Sequence, residues 1–403
     1  MWFAYVIICY SSSGKNDALR GISMKNNLVI YFLLIVYFFL NVFVTTSLNL
    51  NYYNEIINPF MWIIICGVAV FLSKDSTIRV KGKQDKTQSL LISLIIYIIV
   101  YFLLGLIFGF QKTPYSKEVL NVIKNVWSFG GIIFFQEFIR EALIKNNKKK
   151  IYNFVLMTIL FALININYAN IGNHFQDLKE IFIYLSTTIV PTILESALAT
   201  YLVYIGGAKE AIIYRLFMTL PPFLVPIIPS FDWFASAVVG VTVPLAIYVY
   251  MNYVHVNKSE RLSRRERKAY NPVVYVPAFA FIALLAGFVM GLFKYQPIAV
   301  LSGSMSPTFN RGDAVVVNKL TTREKDELKK GDIIQFISGT KYVVHRIVSI
   351  TNDNYGNKQF VTKGDHNNAI DVSKVALEDV KGKVSFVIPL IGYPSVWLSG
   401  VVS

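Results

Sequence analysis

Three serines, Ser302, Ser304 and Ser306, stand at alternate positions in AVLSGSMSPTFNRGD, residues 299–313, a few residues after a long apolar run. A serine hydroxyl is a weak nucleophile until a base within hydrogen-bond reach takes its proton. The chain downstream offers two imidazoles. His345 lies in VVHRI, inside an alternating apolar stretch, and His366 lies in the turn-like KGDHNN. A base carried on a strand is held more firmly than one on a loop, so His345 is the candidate base for Ser304. A third group, commonly a carboxylate, keeps such an imidazole in the required tautomer. Asp365 and Asp371, both in GDHNNAID, are open alternatives for that place. The chemistry this set would support is acyl transfer through a serine ester. Without a wider pattern, Ser304 also reads as a turn serine and His345 as a satisfied strand histidine.

Such side chains need a rigid frame. From residue 297 the chain breaks into short alternating runs: AVVVNKL (314–320), DIIQFIS (332–338), KYVVHRIVSI (341–350), KQFVTKGD (358–365) and GKVSFVIP (382–389). Turn residues such as Gly312-Asp313 and Gly331-Asp332 separate them. Period-two runs rich in β-branched residues, joined by short connections, predict antiparallel strands. We therefore expect a small, mainly antiparallel β catalytic domain over 296–386. The tail, 387–403, is apolar but holds two prolines and two glycines, which suits an interfacial end better than a span.

The rest of the chain is of another kind. It is 54% hydrophobic overall, with a mean hydropathy of +0.50, which excludes an ordinary soluble enzyme of this length. Nine runs approach the length of a bilayer span: 27–47, 57–73, 88–110, 125–144, 151–169, 181–204, 211–229, 236–254 and 273–294. The fold class expected is a multi-pass α-helical membrane domain followed by the β domain. Its parts are a polytopic region of about eight helices over 1–254, a basic connector at 255–271, an anchor helix at 272–295, the β domain and the tail. Residues 1–23 read as an upstream-start extension, because MWFAYVIICY is too short to span and no small-residue cleavage site follows it.

Charge supplies the orientation. Loops 74–86, 145–150, 205–215 and 255–268 hold 17 basic residues, and the alternating set 48–56, 111–124, 170–180 and 230–235 holds 4. The positive-inside rule makes the first set cytoplasmic. Helix 273–294 then runs outward, and everything after it is extracytoplasmic. The net charge of +15 is accounted for largely by these loops, and no basic helix or basic–aromatic platform points to nucleic acid. With only Cys9 and Cys66, a disulfide framework in the C-terminal third and four-Cys metal sites are excluded. Neither a metal nor a cofactor is expected.

Two polar features sit in the apolar region. Glu195 lies near the centre of 181–204, where a carboxylate reads best as an interhelical hydrogen-bonding group facing the bundle. FQEFIREALI (135–144) has the Glu137/Glu141 spacing of an intramembrane glutamate protease, but its charges read better as a face near a helix end, snorkelling to the interface. Apart from Glu195, no paired intramembrane charge is expected.

The motifs SGSMSPTFNRGD, GDIIQF, YVVHRIV and VTKGDHNNAID, in that order, resemble type I signal peptidases. The branch they look like is the endoplasmic-reticulum, archaeal and sporulating-bacterial one, which has His where the common bacterial enzymes have Lys. The resemblance covers the 273–294 helix and about 100 residues after it. It implies Ser304 as nucleophile, His345 as general base, Asp371 as third member and Asp365 as a supporting acid. It also implies an oxyanion hole made by the Ser302 hydroxyl and the N–H of Ser304. Ser306 stands where the family usually has Glu or another residue, a minor departure. The many N-terminal helices are a large one.

The implied activity is a membrane-bound serine endopeptidase that cleaves N-terminal signal peptides from exported preproteins at the outer membrane face. Its expected partners are signal-peptide-bearing preproteins, the lipid bilayer and a secretion-machinery partner, with no nucleic acid. Its expected location is the cell membrane, multi-pass, with the catalytic domain outside the cytoplasm. The alternative reading is a multi-pass membrane binding or transport module with a peptidase-like appendage. An inactive scaffold is disfavoured by the intact Ser304, His345 and Asp371 set.

Overall fold

The computed structural model describes residues 17–47, 53–73, 83–146, 151–168, 171–175, 177–259, 272–339, 341–353 and 355–398. Residues 1–16 of the proposed start extension lie outside them, as do most of the basic connector and the end of the tail, while 17–23 belong to the first long helix. The chain forms two units. One is built from residues up to 276 apart from 175–182, and the other from 277 onward together with 175–182.

The first unit is helical. Its main helices are α1 (Asp17–Ser47), α2 (Asn58–Leu72), α3 (Lys83–Phe108), α4 (Ile132–Asn146), α5 (Ile151–Asn165), α6 (Val190–Ile205), α7 (Ala208–Thr219) and α8 (Trp233–Ser259). Among the described residues, five stretches are long and apolar enough to cross a membrane: Lys25–Ser47, Tyr53–Leu72, Asp85–Phe108, Leu178–Ile205 and Trp233–Val256. Ile151–Asn165 and Val273–Val289 are apolar but shorter. Large side chains point outward along these helices, among them Phe39, Ile64, Phe71 and Leu106. An aqueous fold would bury such residues, whereas lipid accepts them.

One of the nine expected spans is broken, and another, like Leu178–Ile205, carries a π-helical turn. The 125–144 run is a short helix, a π-helical turn at Val126–Gly131 and then α4. The 211–229 run breaks at Pro221 and Pro222, after which Ile227–Pro229 pairs with Phe110–Lys112 as a two-stranded ribbon. A proline cannot supply the amide that continues a helix, so a pair of them ends the run.

Polar contacts gather the segment ends into two sets. Asn26 reaches the Leu72 carbonyl, Asn27 the Leu143 carbonyl, Lys86 the Ile205 carbonyl, and the Ala208 amide the Glu141 carboxylate. At the opposite ends of these helices Lys124 pairs with Glu55, Trp127 donates to the Glu55 carbonyl, and Ser230 N–H donates to Gly109. The first set adjoins the lysine- and arginine-rich loops.

The interior of this unit holds charge, contrary to the expectation of snorkelling side chains on 135–144. Glu137 and Arg140 are both fully buried. Arg140 Nε donates to Glu137 Oε2 at 2.9 Å, and its Nη1 reaches the Ser196 carbonyl and the Thr200 hydroxyl. Arg215 Nη1 donates to Glu137 Oε1 at 2.8 Å and also to Gln136. The Arg140 guanidinium lies 4.2 Å from the centre of the Phe161 ring. Spacing three on one helix turn sets Glu137 and Arg140 side by side, and a buried charge is tolerable only with such partners. Paired charges therefore do occur inside this unit. Glu195 is near Arg215, Tyr97 and Tyr214.

The second unit begins with helix α9 (Val276–Val289), which ends before the expected 294. Gly291 follows with φ of 73°, a left-handed conformation that closes the helix and turns the chain. Then come strands β1 (Tyr295–Ala299), β2 (Ala314–Lys319), β3 (Ile333–Ser338), β4 (Lys341–Asn352), β5 (Lys358–Lys363), β6 (Val375–Ala376) and β7 (Val380–Ile388), and a terminal helix α10 (Tyr393–Leu398). They form one seven-stranded sheet, in the order β1-β2-β7-β3-β4-β5-β6, with each neighbouring pair antiparallel. The five alternating runs are all strands. β1 went unread because Pro297 interrupts its pattern; a proline fits there because an edge strand has one side free of ladder bonds. Two apolar clusters hold the sheet, one around Ile334, Phe336, Ile347 and Phe360, the other formed by Met305, Phe309, Val315 and Val317.

Candidate active site

The second cluster explains the composition of the 302–310 segment. Met305 and Phe309 are buried against β2, while Ser302, Gly303 and Thr308 remain exposed. Two apolar anchors four residues apart hold a turn whose polar groups point away from the core. Ser304 sits directly before the first anchor, half-buried.

His345 is in the middle of β4, opposite Ile334 of β3, and is only 8% exposed. Its Nε2 lies 3.2 Å from Ser304 Oγ, and its Nδ1 lies 2.7 Å from Asp371 Oδ2. A carboxylate can only accept here, so Nδ1 carries the proton and Nε2 is left as the acceptor for the serine hydroxyl. The edge of the imidazole packs near Phe336, with ring centroids 6.3 Å apart. Ser302 Oγ lies 3.3 Å from Ser304 Oγ.

The two candidate acids separate cleanly. Asp371 meets His345, and Asp365 does not. Asp365 instead takes a forked contact from Arg346, Nε to Oδ1 at 2.9 Å and Nη2 to Oδ2 at 2.7 Å. The Thr308 hydroxyl donates to Asp365 Oδ2 at 2.5 Å and accepts from Arg346 Nη2 at 3.2 Å. Bidentate guanidinium–carboxylate pairs are among the strongest charge-assisted contacts. This one holds the Asp365 carboxyl below the usual 3.8, and the guanidinium is pushed up in return. Successive strand residues point to opposite faces, so His345 and Arg346 reach different parts of the same two loops.

The loop after β5 also touches the nucleophile through its main chain. His366 N–H donates to the Ser304 carbonyl at 2.9 Å. A Cβ on Gly364 would stand 2.6 Å from that carbonyl oxygen, so only glycine allows the approach. The His366 side chain is exposed, and its ring is not the partner of Ser304. Arg346, Thr308 and Gly364 lie within the motifs quoted from the sequence, yet their contacts join residues far apart in the chain, with separations of 19, 38 and 57 among Arg346, Thr308 and Asp365. Only the adjacency of a base and an arginine on one strand hinted at a second contact.

Among the described residues no group of three or more His, Cys, Asp or Glu is placed to hold a metal ion. What the arrangement can do is remove a proton from a serine hydroxyl beside a second hydroxyl, at a partly open surface.

Residues 273–369 match the model of the family described as signal peptidase, peptidase S26. Signal peptidase I W of Bacillus subtilis (strain 168) is 36% identical over 126 residues, covering 29% of this chain and 65% of that protein. The human signal peptidase complex catalytic subunit SEC11C is 33% identical over 104 residues, covering 24% of this chain and 53% of its own length. The chain thus spans less than two thirds of the length of these relatives. Over the matched region, the resemblance to type I signal peptidases of the endoplasmic-reticulum, archaeal and sporulating-bacterial branch holds.

Proposed function

We propose that this protein is a membrane-bound signal peptidase, a serine endopeptidase that removes N-terminal signal peptides from exported preproteins. The observation that carries the reading is the line of contacts from Ser304 Oγ through His345 to Asp371, at 3.2 and 2.7 Å. In the reaction, the Ser304 oxygen attacks the scissile carbonyl as Nε2 of His345 takes its proton. Asp371 stabilises the resulting imidazolium without taking the proton itself. The Ser302 hydroxyl, 3.3 Å from Ser304 Oγ, and the N–H of Ser304 are the donors assigned to the oxygen that gains charge, which is where a pre-set donor has the most effect. His345 then hands its proton to the departing amine, and water hydrolyses the ester by the same route in reverse.

The substrate follows from placement along the chain. Ser304 is 15 residues past the end of α9 at Val289, a separation that spans at most roughly 50 Å fully extended and far less when folded. A scissile bond held near a bilayer by its own apolar segment suits such a site, and a signal peptide carries a 7–15-residue apolar stretch followed by small residues. The charge asymmetry of the loops supports a cell-membrane location with the β unit outside the cytoplasm. The apolar end of the chain, with Leu390, Ile391 and Trp397 exposed, supports its reading as an interfacial segment. The name of the human relative describes a subunit of a complex, which favours a secretion-machinery partner here also.

A second reading, a membrane binding or transport module with a peptidase-like appendage, draws on the buried Glu137 and Arg140 and the partly buried Arg215 that pairs with Glu137. One experiment separates the two. The N-termini of exported proteins are sequenced by mass spectrometry in cells carrying wild type or Ser304→Ala. Retained signal peptides in the variant are the expected result, and unchanged N-termini for every exported protein would leave only the second reading.

A further inference from the structure

The carboxylate of Asp371 carries more than the imidazole. Thr362, near the end of β5, is wholly buried, and its hydroxyl donates to Asp371 Oδ2 at 2.6 Å. That oxygen is the one that meets His345 Nδ1. The main chain ties the same two residues together again, Asp371 N–H to the Thr362 carbonyl at 2.9 Å. The chain neighbours of Asp371 are not buried and do not anchor it. Ile370 is 57% exposed and Val372 fully so. Thr362 is rooted instead in a paired strand, two residues after Phe360, whose side chain is fully buried.

A hydroxyl at this position is a choice with a cost. Valine has nearly the same shape, and a buried face of a strand would take it without a polar group to satisfy. A buried hydroxyl is kept where it has a partner, and here the partner is an ionised side chain, which makes the contact stronger than one between neutral groups.

We propose that Thr362 is a positioning residue for catalysis. Its hydroxyl fixes the rotation of the Asp371 carboxylate so that Oδ2 stays on His345 Nδ1, and the imidazole is thereby kept in the tautomer and orientation that accept from Ser304. Thr362 touches no reacting atom and acts only through Asp371. This inference rests on the serine-peptidase reading above.

The test uses the full-length chain in lipid vesicles with a preprotein of defined cleavage site. Thr362→Val should lower kcat by about 10- to 100-fold, the size of one hydrogen bond to a charged group, with KM changed by less than about two-fold. Thr362→Ser keeps the hydroxyl and should restore kcat to within about three-fold of wild type. In an Asp371→Asn background, Thr362→Val should have no further effect beyond about two-fold, because its only route is already cut. Thr362→Ala gives the same comparison if valine does not fold. The proposal is overturned by Thr362→Val with wild-type kcat, by Thr362→Ser as slow as the valine variant, or by additive losses in the double variant. A wild-type chain that does not cleave, or cleavage that survives Ser304→Ala, overturns the underlying peptidase reading instead.

Discussion

Each unit of this molecule places carboxylates and cationic or basic groups beneath its surface, and the two sets are finished differently. In the helical unit, Arg140 is surrounded: Glu137 on two nitrogens, Ser196 and Thr200 on a third, the Phe161 ring on its face. Glu137 in turn is held by both Arg140 and Arg215. In the β unit, Asp371 and His345 are equally well partnered, but the line ends at Ser304, a half-buried hydroxyl next to an exposed one. A closed set of charges spends its interactions on holding helices together. A set with one end open keeps a reactive group available. The difference teaches that burial and ion pairing alone do not mark a reactive site; an unspent position at the surface does.

The contrast can be broken by substitution. Ser304→Ala should lower turnover on the order of 10⁴–10⁶-fold while changing unfolding stability by no more than about 0.5 kcal/mol; a large fall in the melting point would mean that this serine belongs to the packing. Arg140→Met should do the reverse. It leaves Glu137 with half of its compensation and should destabilise the helical unit by about 3–5 kcal/mol, read from thermal unfolding in detergent. An Arg140→Met chain as stable as wild type would show that the charges are dispensable for folding. Ser302→Ala should lower kcat on the order of 10²–10³-fold with stability unchanged, measured on the same preprotein.

The smallest effect expected is at Asp365. Arg346 holds its carboxyl below 3.8, so its ionised form stabilises the fold above that pH, and the contribution is lost as pH falls through the depressed folded value. Asp365→Asn should cost about 1–2 kcal/mol at neutral pH and flatten the decline in melting point below pH 3.8. A variant whose melting point falls with acid in parallel with wild type would detach this pair from the stability of the nucleophile turn.

How much of this was legible in the chain depended on distance. The five alternating runs were readable because period-two burial is local, and all are strands. Ser304 and His345 were readable as a pair from the order of their motifs. The choice between Asp365 and Asp371 was not, because six residues of turn can aim either carboxylate at the imidazole; the Arg346 fork claims one and leaves the other. The buried charges of α4 were misread because Glu137 is completed by Arg215, 78 residues away. The 211–229 run looked continuous by hydropathy, but Pro221 and Pro222 outweigh its composition. Thr362 gave no signal, since threonine is common in strands.

His345 and Arg346 are neighbours on one strand, yet they serve opposite faces of the sheet. Sliding β4 along β3 by a single residue one way would offer the Arg346 guanidinium to Ser304, and the other way the Val344 side chain, which is no base. No proton could then be drawn from the hydroxyl, because arginine keeps its own. Under the proposed activity, cleavage would therefore report that β4 has found its true pairing.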